Sequence, residues 1–83
     1  MSMITGAQIR IARTALRWTA EDLAKDSGVG ARTIKRIEMT DGLPDSTIST
    51  VSKLKLALEA AGIEFIGTPD DGPGIRIYDG SPK

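Results

Sequence analysis

The sequence predicts a mostly α-helical domain of four to five helices that ends in a β-hairpin. Through residue 62, apolar residues recur at the spacing of amphipathic helices, as Val51, Leu54 and Leu58 do. After that point the period changes to two, in "IEFIG" and "GIRIYDG" on either side of the turn-forming segment "TPDDGPG". The length of 83 residues suits one such domain.

The first two helices have clear start signals. The first is expected from Thr5, its N-cap, to Arg17. The second follows Thr19, which is again an N-cap, with Asp22 at the capping-box position. Gly28 should end this helix, because glycine accepts the positive φ angle of a helix C-terminus at little cost.

The next two helices are expected over Gly30–Met39 and from Ser49 or Thr50 to Ala61. In the first of these, two isoleucines three residues apart must share a face. The second begins at a hydroxyl residue and is stopped by a glycine at position 62.

The composition excludes several kinds of site. The chain contains no cysteine and no histidine, so disulfides, thiolate or imidazole zinc sites and histidine-based acid–base catalysis are ruled out. No cofactor or metal is expected, and no carboxylate is accompanied by the groups that would complete an active site, so no enzyme is expected. No apolar run approaches the roughly 20 residues of a membrane span, and the N-terminus lacks a signal-peptide pattern. A cytoplasmic protein is therefore expected.

The net charge is zero, but charge is unevenly distributed along the chain. Residues 1–40 contain seven Lys and Arg against four Asp and Glu, a balance of +3, whereas residues 41–83 contain four against seven, a balance of −3. Halves of opposite charge suggest that the first half provides a basic binding surface and that the second half is acidic overall. Ordinary surface charge is the alternative interpretation.

A helix–turn–helix pattern spans residues 20–37. Ala24 supplies the small residue needed where two helices cross, Gly28 the turn glycine, and Val29 the apolar residue that plugs the turn. The segments "ALRWTAEDLAKDSGVGARTIKRIE" and "TVSKLKLALEAAG" closely resemble the helix-turn-helix domains of lambdoid phage repressors and of bacterial regulators of the xenobiotic-response-element type. The resemblance covers roughly residues 4–62 and implies a lambda-repressor-like DNA-binding domain.

The resemblance implies that the third helix enters the major groove of DNA while the preceding helix crosses the backbone. Arg32 would then read guanine through its two-pronged guanidinium, and the helix start at Gly30 would favour a phosphate. A solvated helix surface is the alternative for the basic residues. The DNA-binding residues implied are Ala20, Gly30, Ala31, Arg32, Lys35 and Arg36.

Two of these positions depart from the family pattern. The family usually has glutamine in place of Ala20 and serine or threonine in place of Gly30, so polar contacts with DNA would be lost at both. The resemblance also implies a buried ion pair between Arg13 and Glu38, which would fix the first helix against the third. Arg13 as a direct DNA contact is the alternative.

The predicted organisation is a DNA-binding domain over residues 1–62, a hairpin over residues 63–80 and a tail over residues 81–83. A two-stranded hairpin is only marginally stable by itself and has two unpaired edges. Pairing with the hairpin of a second chain is therefore expected. A hairpin folded back on its own fourth helix is the alternative. The residues expected at the dimer interface are Phe65, Ile66, Ile75, Ile77 and Tyr78.

Together these expectations describe a transcriptional regulator that binds double-stranded DNA. It would bind a palindromic operator as a homodimer, since one recognition helix reads too few base pairs for useful specificity. It would act in the bacterial cytoplasm, associated with the nucleoid when bound. The first alternative is an antitoxin, which would use the same DNA-binding fold and also bind a toxin. The second is a protein-interaction adaptor that has kept the fold and lost DNA binding, although the basic recognition helix counts against it. No membrane partner is expected.

Overall fold

The computed structural model describes residues 4–78 of the protein. Within these residues four helices are followed by one two-stranded antiparallel hairpin, which confirms the predicted mostly helical fold with a C-terminal hairpin. The tail predicted over residues 81–83 lies outside the described residues, as does the end of the hairpin predicted up to residue 80. In chain order the elements are α1 Gly6–Ala15, α2 Ala20–Ser27, α3 Ala31–Glu38, α4 Ile48–Ala60, β1 Ile63–Thr68 and β2 Asp71–Ile77.

The two N-terminal helices begin at the threonines expected as N-caps. The Thr5 hydroxyl accepts a hydrogen bond from the Gln8 N–H, and the Gln8 side chain accepts one in return from the Thr5 N–H. Thr19 and Asp22 form the same reciprocal arrangement at the start of α2. Each capping box satisfies two backbone N–H groups that a helix start leaves without an intrahelical partner.

Two helices are shorter than predicted. α1 ends at Ala15 rather than Arg17, because Arg17 adopts a φ of 61°, which a right-handed helix does not accommodate. α3 lacks one residue at each end, since Gly30 and Met39 are its caps and not part of its helical turns.

α4 begins at Ile48, one or two residues earlier than predicted. The hydroxyl of Thr47 accepts the hydrogen bond from the Thr50 N–H and so acts as the N-cap. At 13 residues α4 is the longest of the four helices. No helix within residues 4–78 combines the length and the apolar character needed to cross a lipid bilayer.

The core lies between the helices and the first residue of the hairpin, and it is almost entirely aliphatic. Close packing of such side chains is the main source of stability in a domain of this kind. Trp18 is half-buried and packs against the core from the α1–α2 connection, as a residue directly before an N-cap often does. The buried apolar residues are Ile4, Ile9, Ala12, Ala20, Leu23, Val29, Ile34, Ile37, Leu54, Leu58 and Ile63.

The hairpin has a tighter turn than the sequence suggests. Thr68 pairs with Asp71, so only residues 69–70 connect the strands and most of "TPDDGPG" belongs to the strands themselves. The strand pairing is irregular between Ile66 and Thr68, where one additional residue is accommodated as in a β-bulge.

The apolar face of the hairpin packs on the helices of the same chain. Ile63 pairs with Ile77 and Phe65 with Ile75, so these side chains share one face. Ile63 is buried, while Phe65 and Ile75 are half-buried against the core. β1 lies next to α4 and β2 next to α1. The hairpin is thus folded back on its own chain, which is the arrangement given above as the alternative.

Gln8 fastens the hairpin to α1. Its Nε2 donates to the carbonyl oxygens of Ile66 (3.2 Å) and Gly74 (2.8 Å), which are paired residues of the two strands. Its Oε1 accepts a hydrogen bond from the Thr5 N–H (2.8 Å) in the capping box. Both ends of this buried amide therefore have partners, as a buried polar group requires.

Candidate nucleic-acid interface

A three-residue turn joins α2 to α3, and local contacts fix its conformation. Gly28 adopts a φ of 78°, which a residue with a side chain takes only with strain, and its N–H donates to the Ala24 carbonyl (2.9 Å). Val29 is buried, and its N–H donates to the Ser27 hydroxyl (3.1 Å). The turn therefore sets the direction in which α3 leaves α2.

α3 has one buried face and one exposed, basic face. Ile34 and Ile37 are buried in the core, whereas Arg32, Lys35 and Arg36 are exposed. Because residues three or four apart lie on the same side of a helix, burial of the two isoleucines turns the basic residues outwards. Three neighbouring cations on one helix face favour a polyanionic partner.

The N-terminal end of α3 is open towards solvent. Gly30, its N-cap, is exposed and provides no side-chain acceptor for the first-turn N–H groups. Ala31 is half-buried. Arg32 is exposed and, within residues 4–78, forms neither a salt bridge nor a side-chain hydrogen bond. Its guanidinium is therefore available to an acceptor outside the chain.

The other two basic side chains of this face have partners within the protein. Lys35 Nζ lies 3.3 Å from Glu21 Oε2 in the first turn of α2. Arg36 donates to the Asp45 carbonyl (3.0 Å) and the Ser46 hydroxyl (3.3 Å) in the α3–α4 loop. The pKa of Glu21 is lowered by a hydrogen bond from its own backbone N–H and by the Lys35 ammonium. Exposed contacts of this kind are weak and can be exchanged for others.

Ala20 does not belong to the basic face. This residue is 6% exposed and forms part of the core. It lies three residues before the buried Leu23, so both share the inward side of α2. Although Ala20 was placed among the DNA-binding residues, its side chain therefore faces the core, and the exposed residues that follow it in α2 are Glu21 and Asp22.

The ion pair implied between Arg13 and Glu38 is present and holds α3 against α1. Arg13 Nε and Nη2 each donate to one Glu38 carboxylate oxygen (2.8 Å each), and Nη1 donates to the Trp18 carbonyl (2.7 Å). The Glu38 side chain is 8% exposed and that of Arg13 21%. The hydrogen bonds to Glu38 raise the pKa of Arg13. Each nitrogen of the guanidinium thus donates within the protein, which gives Arg13 a positioning role between α1 and α3.

Arg10 and Gly6 also position α3, a role that the sequence did not indicate for either. Arg10 Nη1 donates to the Glu38 carbonyl at the end of α3 (2.7 Å), where a cation is favourable. At Gly6 an added side chain would collide with the carbonyl oxygens of Ile37 and Thr40. Only glycine therefore permits this close approach of α1 to the end of α3.

Two hairpin residues predicted at a dimer interface remain largely exposed. Ile77 is 54% and Tyr78 53% exposed, whereas Ile66 is half-buried. The Tyr78 hydroxyl and Arg76 Nη1 both donate to Glu64 Oε1, at 2.6 Å and 2.9 Å. The hydrogen bond from Tyr78 and the charge of Arg76 lower the pKa of Glu64. This end of the hairpin combines an apolar surface with a small polar cluster.

Comparison of the chain with models of known protein families, with characterised proteins and with solved structures finds no match.

Proposed function

We propose that the protein is a sequence-specific DNA-binding regulator of transcription with a lambda-repressor-like fold, in which α3 is the recognition helix. The observation that carries the proposal is the exposed Arg32 side chain, which has no partner within residues 4–78. Arg32 is the second residue of α3, and recognition helices present their N-terminal residues to base edges in the major groove. Arginine bonded to guanine O6 and N7 is the commonest specific contact in that groove.

Lys35 and Arg36 would supply contacts to phosphates. Both lie on the same exposed face as Arg32. Arg36 can exchange its weak hydrogen bonds to the α3–α4 loop for phosphate oxygens, whereas the salt bridge to Glu21 offsets the charge that Lys35 offers to a phosphate. Each phosphate that a cation neutralises releases condensed counterions, which adds affinity for any sequence. The start of α3 at Gly30, whose N–H groups lack a side-chain cap, suits a further phosphate. The Ala31 methyl group beside it suits apolar contact with a thymine methyl.

Base readout requires that α3 be held in one orientation. The Arg13–Glu38 ion pair, the Arg10 hydrogen bond and the close approach at Gly6 all connect α1 to the C-terminal half of α3. None of these contacts involves the N-terminal half. This distribution supports the assignment of the N-terminal half as the end that reads DNA.

The active form in this proposal is a homodimer on a palindromic operator in the bacterial cytoplasm. Two recognition helices about 34 Å apart would read two half-sites and so supply the base pairs that one helix cannot. The exposed Ile77 and Tyr78 offer a surface through which a second copy could pair. In this arrangement the hairpin would set the distance between the two α3 helices without touching DNA.

The proposal is tested by selecting bound sequences from random duplex DNA with the full-length protein and then titrating the selected site. Arg32→Ala should weaken binding to that site by about 1–3 kcal/mol and relax the preference at one base position in each half-site. Lys53→Ala is the matched control, because it removes one exposed cation from α4, and it should leave base preference unchanged. A selection that enriches no sequence, or an Arg32→Ala protein that binds as tightly as the parent, would overturn the proposal.

The same selection separates the two alternative functions. An antitoxin would also enrich an operator sequence, but it would in addition form a stable complex with a second small protein. An adaptor would enrich no sequence. The structural feature that favours the adaptor is the carboxylate of Glu21, which stands beside Lys35 on the proposed DNA-binding face.

A further inference from the structure

One acidic side chain forms a salt bridge with the basic face of α3 within residues 4–78. Glu21 Oε2 lies 3.3 Å from Lys35 Nζ, and the two side chains are 66% and 63% exposed. Both groups therefore lie on the surface that would meet DNA. A carboxylate in this position opposes DNA binding, because it repels phosphates and offsets a cation that would attract them.

Glu21 favours the start of α2 through a hydrogen bond from its own backbone N–H, but the start of this helix does not depend on it. Its neighbour Asp22 completes the capping box with Thr19 and already places one negative charge in the first turn of α2. An exposed ion pair contributes little to stability. What the pair does change is the charge that α3 presents, since Glu21 offsets one of its three exposed cations.

We propose that Glu21 lowers the affinity of α3 for DNA of any sequence by compensating the charge of Lys35, so that stable binding depends on readout by Arg32. This inference rests on the proposed function. A phosphate several ångströms beyond the pair meets nearly balanced charges, so Lys35 does not displace a counterion as a free lysine would. Non-specific binding is weakened most, because it consists essentially of such phosphate contacts.

The test compares Glu21→Gln with the matched control Glu59→Gln, which breaks the Lys55–Glu59 ion pair (2.8 Å) on α4. Binding of the full-length protein to random-sequence duplex is measured as a function of salt. Glu21→Gln should steepen the slope of log affinity against log salt by about one, so its gain in affinity should be about 3.5-fold larger at about 50 mM than at about 200 mM salt. Glu59→Gln should leave the slope unchanged.

A Lys35→Ala background shows whether Glu21 acts through Lys35. In this background, Glu21→Gln should steepen the slope of log affinity against log salt by much less than one, because there is no lysine to free from its pairing with Glu21. Equal steepening in the two backgrounds, the same steepening with Glu59→Gln, or none at all would overturn the inference.

The proposed function is judged separately by including Arg32→Ala in the same titrations. If Arg32→Ala loses the preference for the selected site while Glu21→Gln leaves the slope unchanged, only the role of Glu21 is refuted. If the parent protein binds no duplex, both proposals fail.

Discussion

Replacement of Arg13 or Glu38 alone should destabilise the fold far more than replacement of both. Arg13→Met would leave the Glu38 carboxylate, which is 8% exposed, with neither oxygen paired, at a cost of about 3–5 kcal/mol. Glu38→Leu would leave a guanidinium that is 21% exposed and retains its hydrogen bond to the Trp18 carbonyl. The loss of charge-assisted hydrogen bonds should then cost about 2–3 kcal/mol.

The double variant Arg13→Met, Glu38→Leu removes both charges and keeps apolar side chains in their place. Its free energy of unfolding should lie within about 1–2 kcal/mol of the parent's, because no buried charge remains and only the Trp18 carbonyl loses a donor. The two single losses together amount to about 5–8 kcal/mol. The coupling energy between the positions should therefore be about 3 kcal/mol or more.

Urea unfolding at equilibrium measures these free energies. Trp18 is the one tryptophan of the chain and accepts a hydrogen bond from Arg13, so its fluorescence should report unfolding of this region. Single variants whose free energy of unfolding lies within about 0.5 kcal/mol of the parent's, the range of ordinary surface substitutions, would show that the ion pair is not needed for stability. A double variant whose loss equals the sum of the single losses would show that the two positions are not coupled.

Three further predictions concern the hairpin and the helix starts. Gln8→Glu should lower the free energy of unfolding by about 1–3 kcal/mol in urea titrations, because two hairpin carbonyls lose their donor and face a carboxylate. An unchanged urea midpoint would show that the hydrogen bonds from Gln8 to the hairpin are dispensable for stability. Hydrogen bonds from the backbone N–H and side chain of Thr19 lower the pKa of Asp22. The stability that the Asp22 carboxylate contributes above about pH 4 should therefore be lost as the pH falls through this lowered pKa. In Asp22→Asn, the free energy of unfolding should depend less on pH in this acidic range. If the proposed homodimer forms through the hairpin, Ile77→Asp should convert it to a monomer in sedimentation without lowering monomer stability, whereas Leu56→Asp at another exposed apolar position should leave it dimeric. A dimer retained by Ile77→Asp would place the interface elsewhere.

The features predicted correctly from the sequence are those that depend on neighbouring residues. Thr5 and Thr19 act as N-caps because the groups they bond lie three residues away. Gly28 ends α2 because its backbone conformation is a local requirement. The pairing of Arg13 with Glu38 spans 25 residues, and it came from resemblance to a family, not from any local pattern.

The features missed are contacts between distant parts of the chain. Gln8 reads locally as a capping-box residue, and its hydrogen bonds to the hairpin carbonyls 58 and 66 residues away leave no trace in the local pattern. Gly6 reads as a weak helix residue, although its lack of a side chain is what admits the end of α3. Ala20 was assigned to the DNA-binding face by family position, whereas the direction of its side chain follows from its spacing to Leu23.

The polar residues buried in this small core show how α1 connects α3 to the hairpin. Thr5, Gln8 and Glu38 are the buried polar residues within residues 4–78, and no buried side-chain nitrogen or oxygen in that range lacks a partner. Gln8 bonds the hairpin from the first half of α1, and Arg13 bonds α3 from its second half.

Since a helix of ten residues is a rigid connection, the position of the hairpin determines the position of α3. If the hairpin joins two copies, a change at Gln8 should therefore alter the preferred half-site spacing, whereas a change at Arg32 should alter the preferred base. The spacing of the half-sites would then depend on how Gln8 holds the hairpin to α1, and the base preference on the exposed Arg32 of α3.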